Sequence, residues 1–353
     1  MSRRGHYGGA RKRVGFITPG FGCGGAERWV LTLAKHLHGA DIAGFLSHTD
    51  QGPLAAEAHT LGPIMTGDHA AQFAERCDIV IAWAWNQLAD FRSIFRGRLI
   101  AVSHGSPGNQ WGDNVTSRMG AVPGVELLAV SDNSLNVWPD RGSGIYIPNG
   151  AEVDRCTPRA GRDALRERLG IKPAERVATF CGRICAEKRP WALVSALDWL
   201  PSSWVVLIAG PDQAGWTKAM AQNPRVRVLP PQDHVGDVLA ASDVFVLPSE
   251  TEAHPIALCE AWIAGVPTVY ADWPFAAQLR RDHGQDLGVP VRLDCSPAEI
   301  AAAILTAHTF RHTLADSARR IAWQHYTASV MADRWERHLG LAPIQRTGTA
   351  SAY

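Results

Sequence analysis

Two glutamates, Glu252 and Glu260, stand with seven residues between them in Ser249-Glu250-Thr251-Glu252-Ala253-His254-Pro255-Ile256-Ala257-Leu258-Cys259-Glu260. The apolar run Asp243-Val244-Phe245-Val246-Leu247-Pro248 ahead of them reads as a buried strand, and the periodic apolar residues from about Ile256 to Ala264 read as a helix. Glu252 therefore falls in a strand–helix loop and Glu260 about one turn into the helix. In open α/β sheets such loops form ligand crevices at the carboxyl ends of the strands, where helix N-termini present unbonded N–H groups to anions. N–H groups hold phosphate and carboxylates accept from hydroxyls. The pair suits a ligand carrying both, such as a sugar nucleotide.

A second strand–turn unit, Cys181-Gly182-Arg183-Ile184-Cys185-Ala186-Glu187-Lys188-Arg189-Pro190, brings two cations to a strand's carboxyl end. Arg183 as a forked donor and Lys188 as a compact charge suit a diphosphate; solvated surface charge is the plainer alternative. Near the start, Val14-Gly15-Phe16-Ile17 leads through Gly20 to Gly25 into a helical pattern from Ala26 to Leu37. That glycine loop permits close backbone approach. Its spacing does not reproduce G-x-G-x-x-G, and Asp41 precedes its strand rather than ending one, so a nicotinamide site is not indicated. The histidines show no H-E-x-x-H or comparable metal-ligand spacing.

These units need elements to position them. Strands are expected at Ile42 to Leu46, Ile79 to Trp83, Leu99 to Ser103 and Leu127 to Val130. A second series follows at Val177 to Cys181, Val205 to Ala209, Val226 to Leu229, Val244 to Leu247 and Thr268 to Tyr270. Helices between them predict parallel sheets, and helical patterns from Pro297 to His308, His312 to His325 and Ala328 to Leu339 close the chain. At 353 residues, two domains are the default. The expected division is a flexible basic tail (1–13), a Rossmann-like first domain (14–150), a Rossmann-like second domain (151–325), a helix packing back towards the first domain (326–342) and a disordered tail (343–353).

Composition narrows the function. A formal charge of +1 supplies no field to recruit nucleic acid or an acidic membrane. Only Arg3, Arg4, Arg11, Lys12 and Arg13 form a basic cluster, which admits a nucleic-acid acceptor alongside a silent tail. The seven cysteines have no repeated C-x-x-C spacing, so neither a disulfide framework nor a zinc cluster is indicated, and a reducing cytoplasm fits best. No apolar run is long enough to span a bilayer. Of thirteen tryptophans, Trp191, Trp199, Trp262 and Trp335 read as packing residues, whereas Trp83, Trp85 and Trp111 lie near a predicted loop mouth where a ring can stack on a sugar.

Gly24-Gly25-Ala26-Glu27, Gly182-Arg183 with Glu187-Lys188-Arg189-Pro190, Asn149-Gly150, and Glu252-Ala253-His254-Pro255 with Glu260-Ala261 and Gly265-Val266-Pro267 together resemble the family 4 glycosyltransferases of GT-B fold. The resemblance covers roughly Val14 to Tyr326. It implies two Rossmann-like domains facing each other across a cleft, and a retaining transfer of sugar from a nucleotide diphosphate donor to an acceptor hydroxyl without a metal. It further implies that Arg183 and Lys188 hold the diphosphate, Glu260 the ribose and Glu252 the transferred sugar. Backbone at His254, Pro255 and Ile256 would lie near the donor, though Pro255 has no N–H to give. His254 stands where many relatives carry an aromatic residue or asparagine. The Gly24-Gly25 loop would close over the phosphates, and His104 matches a histidine near the reacting sugar. Glu27, Trp85, Trp111 and Asp113 are candidates on the acceptor side. A same-fold epimerase or phosphorylase, and a non-catalytic nucleotide-sugar-binding protein, are the alternatives.

Overall fold

The computed structural model describes residues 10–107 and 117–341. Trp111, Asp113, residues 1–9 of the expected tail at 1–13 and the expected tail at 343–353 lie outside them, while Arg13, expected at the end of the first tail, is a strand residue paired with Asp78 at 3.1 Å. β1 (Arg13–Ile17) is buried at every position after Arg13, as a central strand covered on both faces must be. Beside it run β2 (Asp41–Ser47), β3 (Ile64–Thr66), β4 (Ile79–Ala82), β5 (Arg98–Ser103) and β6 (Glu126–Ala129), all parallel, in the order β3-β2-β1-β4-β5-β6. The second sheet contains β7 (Arg176–Cys181), β8 (Trp204–Ala209), β9 (Val226–Leu229), β10 (Val244–Leu247), β11 (Thr268–Ala271) and β12 (Val289–Val291), also parallel, ordered β12-β11-β10-β7-β8-β9. Counted from its own first strand, each sheet has the doubly wound order 3-2-1-4-5-6. The chain reverses direction between β1 and β4 in one sheet and between β7 and β10 in the other. Crevices for ligands form at those two reversals.

Two short strands were not expected from the sequence. β3 has three residues set between Pro63 and Gly67, too few for alternation to register. β12 contains Pro290, which a sheet tolerates here because β12 is an edge strand.

The two sheets are joined where the chain crosses itself. Ala151 N–H donates to the Tyr326 carbonyl (2.9 Å), and Ala328 N–H donates back to the Ala151 carbonyl (2.8 Å). A Cβ on Gly150 would lie 2.3 Å from the Thr327 carbonyl oxygen, so only glycine lets the strands pass. Beyond the crossing, the helix Ala328–Leu339 lies against the helix Gly25–His36 of the first sheet, with Trp335 and Trp29 rings 5.9 Å apart. Glu336 accepts from Gly39 N–H (2.7 Å) and Arg98 donates to the His338 carbonyl (3.1 Å), so the last helix spans both halves.

Trp262 and Trp335 are fully buried, as packing residues should be, but Trp191 and Trp199 are exposed. They lie on the outer side of the helix Pro190–Ala196 and the turn Leu197–Trp199, and Arg189 sits over the Trp191 ring at 5.7 Å. Helical periodicity cannot tell an outward ring from an inward one when the helix is this short. Among the described residues no helix is long and apolar enough to cross a membrane.

Candidate active site

The carboxyl ends of β1, β4 and β5 face those of β7, β8 and β10 across a cavity of about 800 Å³. Each motif singled out by residue chemistry follows one of these strands. Gly24, Gly25 and Glu27 come after β1, His104 after β5, Arg183 and Lys188 after β7, and Glu252 to Ile256 after β10; all line the cavity. Glu260 lines a smaller adjoining pocket of about 160 Å³, together with Gly24, Gly25, Arg183's neighbour Gly182, and Ile256.

Lys188 is the centre of the charge arrangement. Its Nζ lies 2.8 Å from Glu252 Oε1 and 2.9 Å from Glu187 Oε1, with little solvent contact. Burial alone would lower its pKa, but Glu252 and Glu187 outweigh that effect and raise it, so the ammonium stays charged. The same Glu252 oxygen accepts from Ser249 Oγ (2.8 Å), whose carbonyl is held by Trp273 Nε1 (2.8 Å). Glu250 N–H donates to the Glu187 carbonyl (2.8 Å), tying the two loops together. Arg189, next to Lys188, adopts the left-handed region (φ 50°), a conformation non-glycine residues rarely accept, immediately before the helix start at Pro190. Arg183 also lines the cavity, is more exposed, and lies 3.9 Å from Glu187, a looser pair than those of Lys188.

The helix Ile256–Ile263 begins after Pro255 with no side-chain cap, so its first N–H groups have no intrahelical acceptor. The helix Gly25–His36 likewise starts without a side-chain cap at Gly24. Two helix N-termini thus meet one cavity from opposite domains. Glu27 lies in the first turn of the second of these, so close to Gly24 that a Cβ there would meet its carboxylate at 2.2 Å. Burial pushes its carboxyl pKa up, against its own backbone N–H and Arg183, which lower it.

Two histidines, His104 and His254, each have a buried Nε2 without a hydrogen-bond partner, and they differ in what surrounds the ring. His104 lies edge-on to Trp29 (4.4 Å) and near Trp83 (5.8 Å), and its Nε2 is buried without a hydrogen-bond partner. Burial lowers its pKa to about 3, so the ring is neutral. His254 packs its ring on Phe275 (4.5 Å) and Tyr326 (5.2 Å), and burial lowers its pKa to about 3 as well. Its backbone, not its ring, is fixed at the loop: the His254 carbonyl accepts from Asn149 Nδ2 (2.8 Å).

Of the ring candidates, Trp83 lines the cavity and its Nε1 donates to Thr18 Oγ1 (3.0 Å). Trp85 does not reach it. Its ring is buried and stacked on His48 at 3.9 Å, and Ala84, between the two tryptophans, has a φ of 48°. Sequence reasoning also missed two arginines at the smaller pocket. Arg155 pairs with Glu260 at 3.3 Å, and Arg28 pairs with Glu57 at 2.5 Å. Among the described residues no group of three or more His, Cys, Asp or Glu is arranged to hold a metal ion. Five cysteines are buried, while Cys23 is exposed and Cys185 partly so.

Residues 175–309 match the family described as Glycosyl transferases group 1. A D-inositol 3-phosphate glycosyltransferase of Mycolicibacterium gilvum is 35% identical over 143 residues, covering 37% of this chain and 32% of that protein. The UDP-Gal:alpha-D-GlcNAc-diphosphoundecaprenol alpha-1,3-galactosyltransferase of Escherichia coli is 29% identical over 138 residues, covering 36% of each. The matched segment spans about a third of the length of both relatives. Among solved structures, Anabaena HepE in complex with UDP and glucose is similar with a TM-score of 0.80 at 21% identity, over 93% of this chain and 99% of that one. WaaG, a glycosyltransferase involved in lipopolysaccharide biosynthesis, is similar with a TM-score of 0.70 at 17% identity, over 92% and 99%. The architecture shared with both is the GT-B fold.

Proposed function

We propose that this chain, which matches the glycosyl transferases group 1 family over residues 175–309 and has the GT-B fold, transfers a sugar from a nucleotide diphosphate donor to an acceptor hydroxyl, with retention at the anomeric carbon. The observation that carries the reading is the meeting of Lys188, Arg183, Glu252 and the uncapped start of the helix Ile256–Ile263 in one cavity. A leaving diphosphate needs cations and N–H donors, and a sugar needs a carboxylate; both are within that cavity.

In this reading the bond between the anomeric carbon and the diphosphate oxygen breaks with its electron pair going to the diphosphate. Arg183, Lys188 and the N–H groups of Ile256 and Ala257 stabilise the growing negative charge. The acceptor hydroxyl forms the new bond at the anomeric carbon from the same face, and its proton passes to the departing phosphate oxygen. Glu252 exchanges part of its contact with Lys188 for hydroxyls of the transferred sugar. His104, neutral and with Nε2 unpartnered, hydrogen-bonds the sugar or orients the acceptor rather than supplying charge. Two protein cations at the diphosphate position support transfer without a divalent ion. Opposed helix starts from the two domains favour closure over the donor, which limits hydrolysis by water.

The test is a panel of nucleotide sugars with EDTA present, read by thermal stabilisation and release of nucleoside diphosphate. One stabilising donor that is slowly hydrolysed, and more rapidly consumed with a suitable acceptor, is expected. Turnover that requires inorganic phosphate, or isomerises the donor without releasing nucleotide, would replace transfer by phosphorolysis or epimerisation. Stabilisation without any turnover would make the chain a binding protein.

A further inference from the structure

We infer that Arg155 is the positioning residue of the nucleoside subsite, bracing the Glu260 carboxylate and the Pro231–Asp233 turn at once so that the pocket for the ribose is built before a ligand arrives. The inference rests on the donor reading above and adds to it a residue 105 positions away from Glu260 in the chain. Arg155 belongs to the short helical turn Val153–Cys156, directly after the crossing at Gly150–Ala151. One guanidinium nitrogen lies 3.3 Å from Glu260 Oε1, and another donates to the Asp233 carbonyl. Its Nε is buried without a partner, and the side chain is 16% exposed against 10% for Glu260. The adjacent residue repeats the tie: the Asp154 carbonyl is 2.9 Å from His234 Nε2. Two neighbouring residues therefore fasten the same turn, and that turn and Glu260 line the same small pocket.

Glu260 Oε2 has no hydrogen-bond or ion-pair partner among the described residues, which leaves it for a ligand hydroxyl while Arg155 holds Oε1. The charged and titratable groups facing this carboxylate are Arg155 from the turn, Arg28 from the helix Gly25–His36, Glu152, and the thiols Cys156, Cys181 and Cys259. Burial pushes the Glu260 carboxyl up, and Arg155 is the main opposing influence. Loss of Arg155 would free the carboxylate to rotate and make it easier to protonate. A protonated Glu260 accepts fewer hydroxyls, so ribose binding would then fail at a higher pH.

The experiment is calorimetric titration with UDP, GDP, ADP and CDP, and separately with pyrophosphate, over a pH series rising from the ordinary glutamate value of about 4.3. It compares the unaltered protein with Arg155→Gln, Arg155→Lys and Glu260→Gln. Arg155→Gln is expected to weaken the bound nucleoside diphosphate on the order of 10- to 100-fold, the range for losing a charge-assisted hydrogen bond, and to leave pyrophosphate unaffected. Its affinity should also begin to fall at a higher pH than that of the unaltered protein. Arg155→Lys should restore part of the pH profile, and Glu260→Gln should bind weakly with no pH dependence in this range. Equal affinity and an unchanged profile in Arg155→Gln would overturn the inference, as would an equal loss for pyrophosphate, which would mean a general structural defect. If the unaltered protein binds pyrophosphate but no nucleoside diphosphate, the donor reading itself falls.

Discussion

Lys188 sits between two carboxylates, Glu187 and Glu252, at 2.9 and 2.8 Å, and this sharing separates their roles. An ammonium has three donors, so it can keep Glu187 while a diphosphate takes a place beside it. Lys188→Ala should therefore weaken nucleoside diphosphate binding by about 1.5–3 kcal/mol, the net worth of a hydrogen bond to a charged group, measured by titration calorimetry. Glu252→Ala should abolish transfer while sparing nucleotide affinity; transfer at the unaltered rate would remove Glu252 from the site. His104 yields a different expectation. Its ring is neutral down to about pH 3, so the pH profile of kcat should show no inflection from it near neutrality, although His104→Ala lowers kcat. A loss of activity that tracks a histidine titration near pH 6.5, and disappears in His104→Ala, would contradict its neutral role. Residue chemistry was legible in the sequence where one turn holds the groups, as with Arg183 and Lys188, which both line the cavity. It was illegible for Arg155, which finds Glu260 only through the fold. It did not show the Trp85 ring buried against His48, because nothing local in the sequence signals the positive φ of 48° at Ala84 between Trp83 and Trp85.

At the scale of elements, what places the chemistry is the repeated reversal of strand order. β1 and β4 part in the first sheet, β7 and β10 in the second, and the glycine loop, the Arg183 turn and the Glu252 loop occupy the gaps. The central strands were readable because each is an unbroken apolar run, and a parallel sheet covered on both faces requires that. Two of the four edge strands were not, since β3 has only three residues and β12 includes a proline. Asn149-Gly150 was legible only as part of a motif, whereas what the crossing demands of Gly150 is close passage beneath Thr327. Gly150→Ala should destabilise the protein by about 1–3 kcal/mol, the usual cost of forcing extra volume into a packed site, visible as a lower urea midpoint. An unchanged midpoint would mean that the crossing can open without loss. Glu152, two residues on, accepts from Thr32 Oγ1 at 3.1 Å and pairs with Lys35 at 2.5 Å, so this segment touches the first domain's helix as well as the nucleoside pocket.

For the whole molecule, two domains joined by a crossing and a returning helix bury titratable groups, among them a histidine in the cavity wall. The His254 ring is 3% exposed between Phe275 and Tyr326, and burial holds its pKa near 3 against an ordinary 6.5. The unfolded chain takes up that proton near pH 6.5 and the folded one only near pH 3, so stability present above about 6.5 is lost as pH falls through the interval. The slope from this residue is at most about 1.4 kcal/mol per pH unit. His254→Phe, which keeps a ring there without a titration, should flatten the acid dependence of the urea midpoint. An identical pH dependence in the variant would mean that His254 is not the group responsible. The central claim concerns the cavity between the domains, and the most direct measurement of it is a crystal structure with the nucleoside diphosphate that binds most tightly. The account predicts the diphosphate between Arg183, Lys188 and the start of the helix Ile256–Ile263, with the ribose hydroxyls on Glu260. A nucleotide bound outside this cavity, or inside it with its ribose turned away from Glu260 and its phosphates away from Lys188, would contradict it.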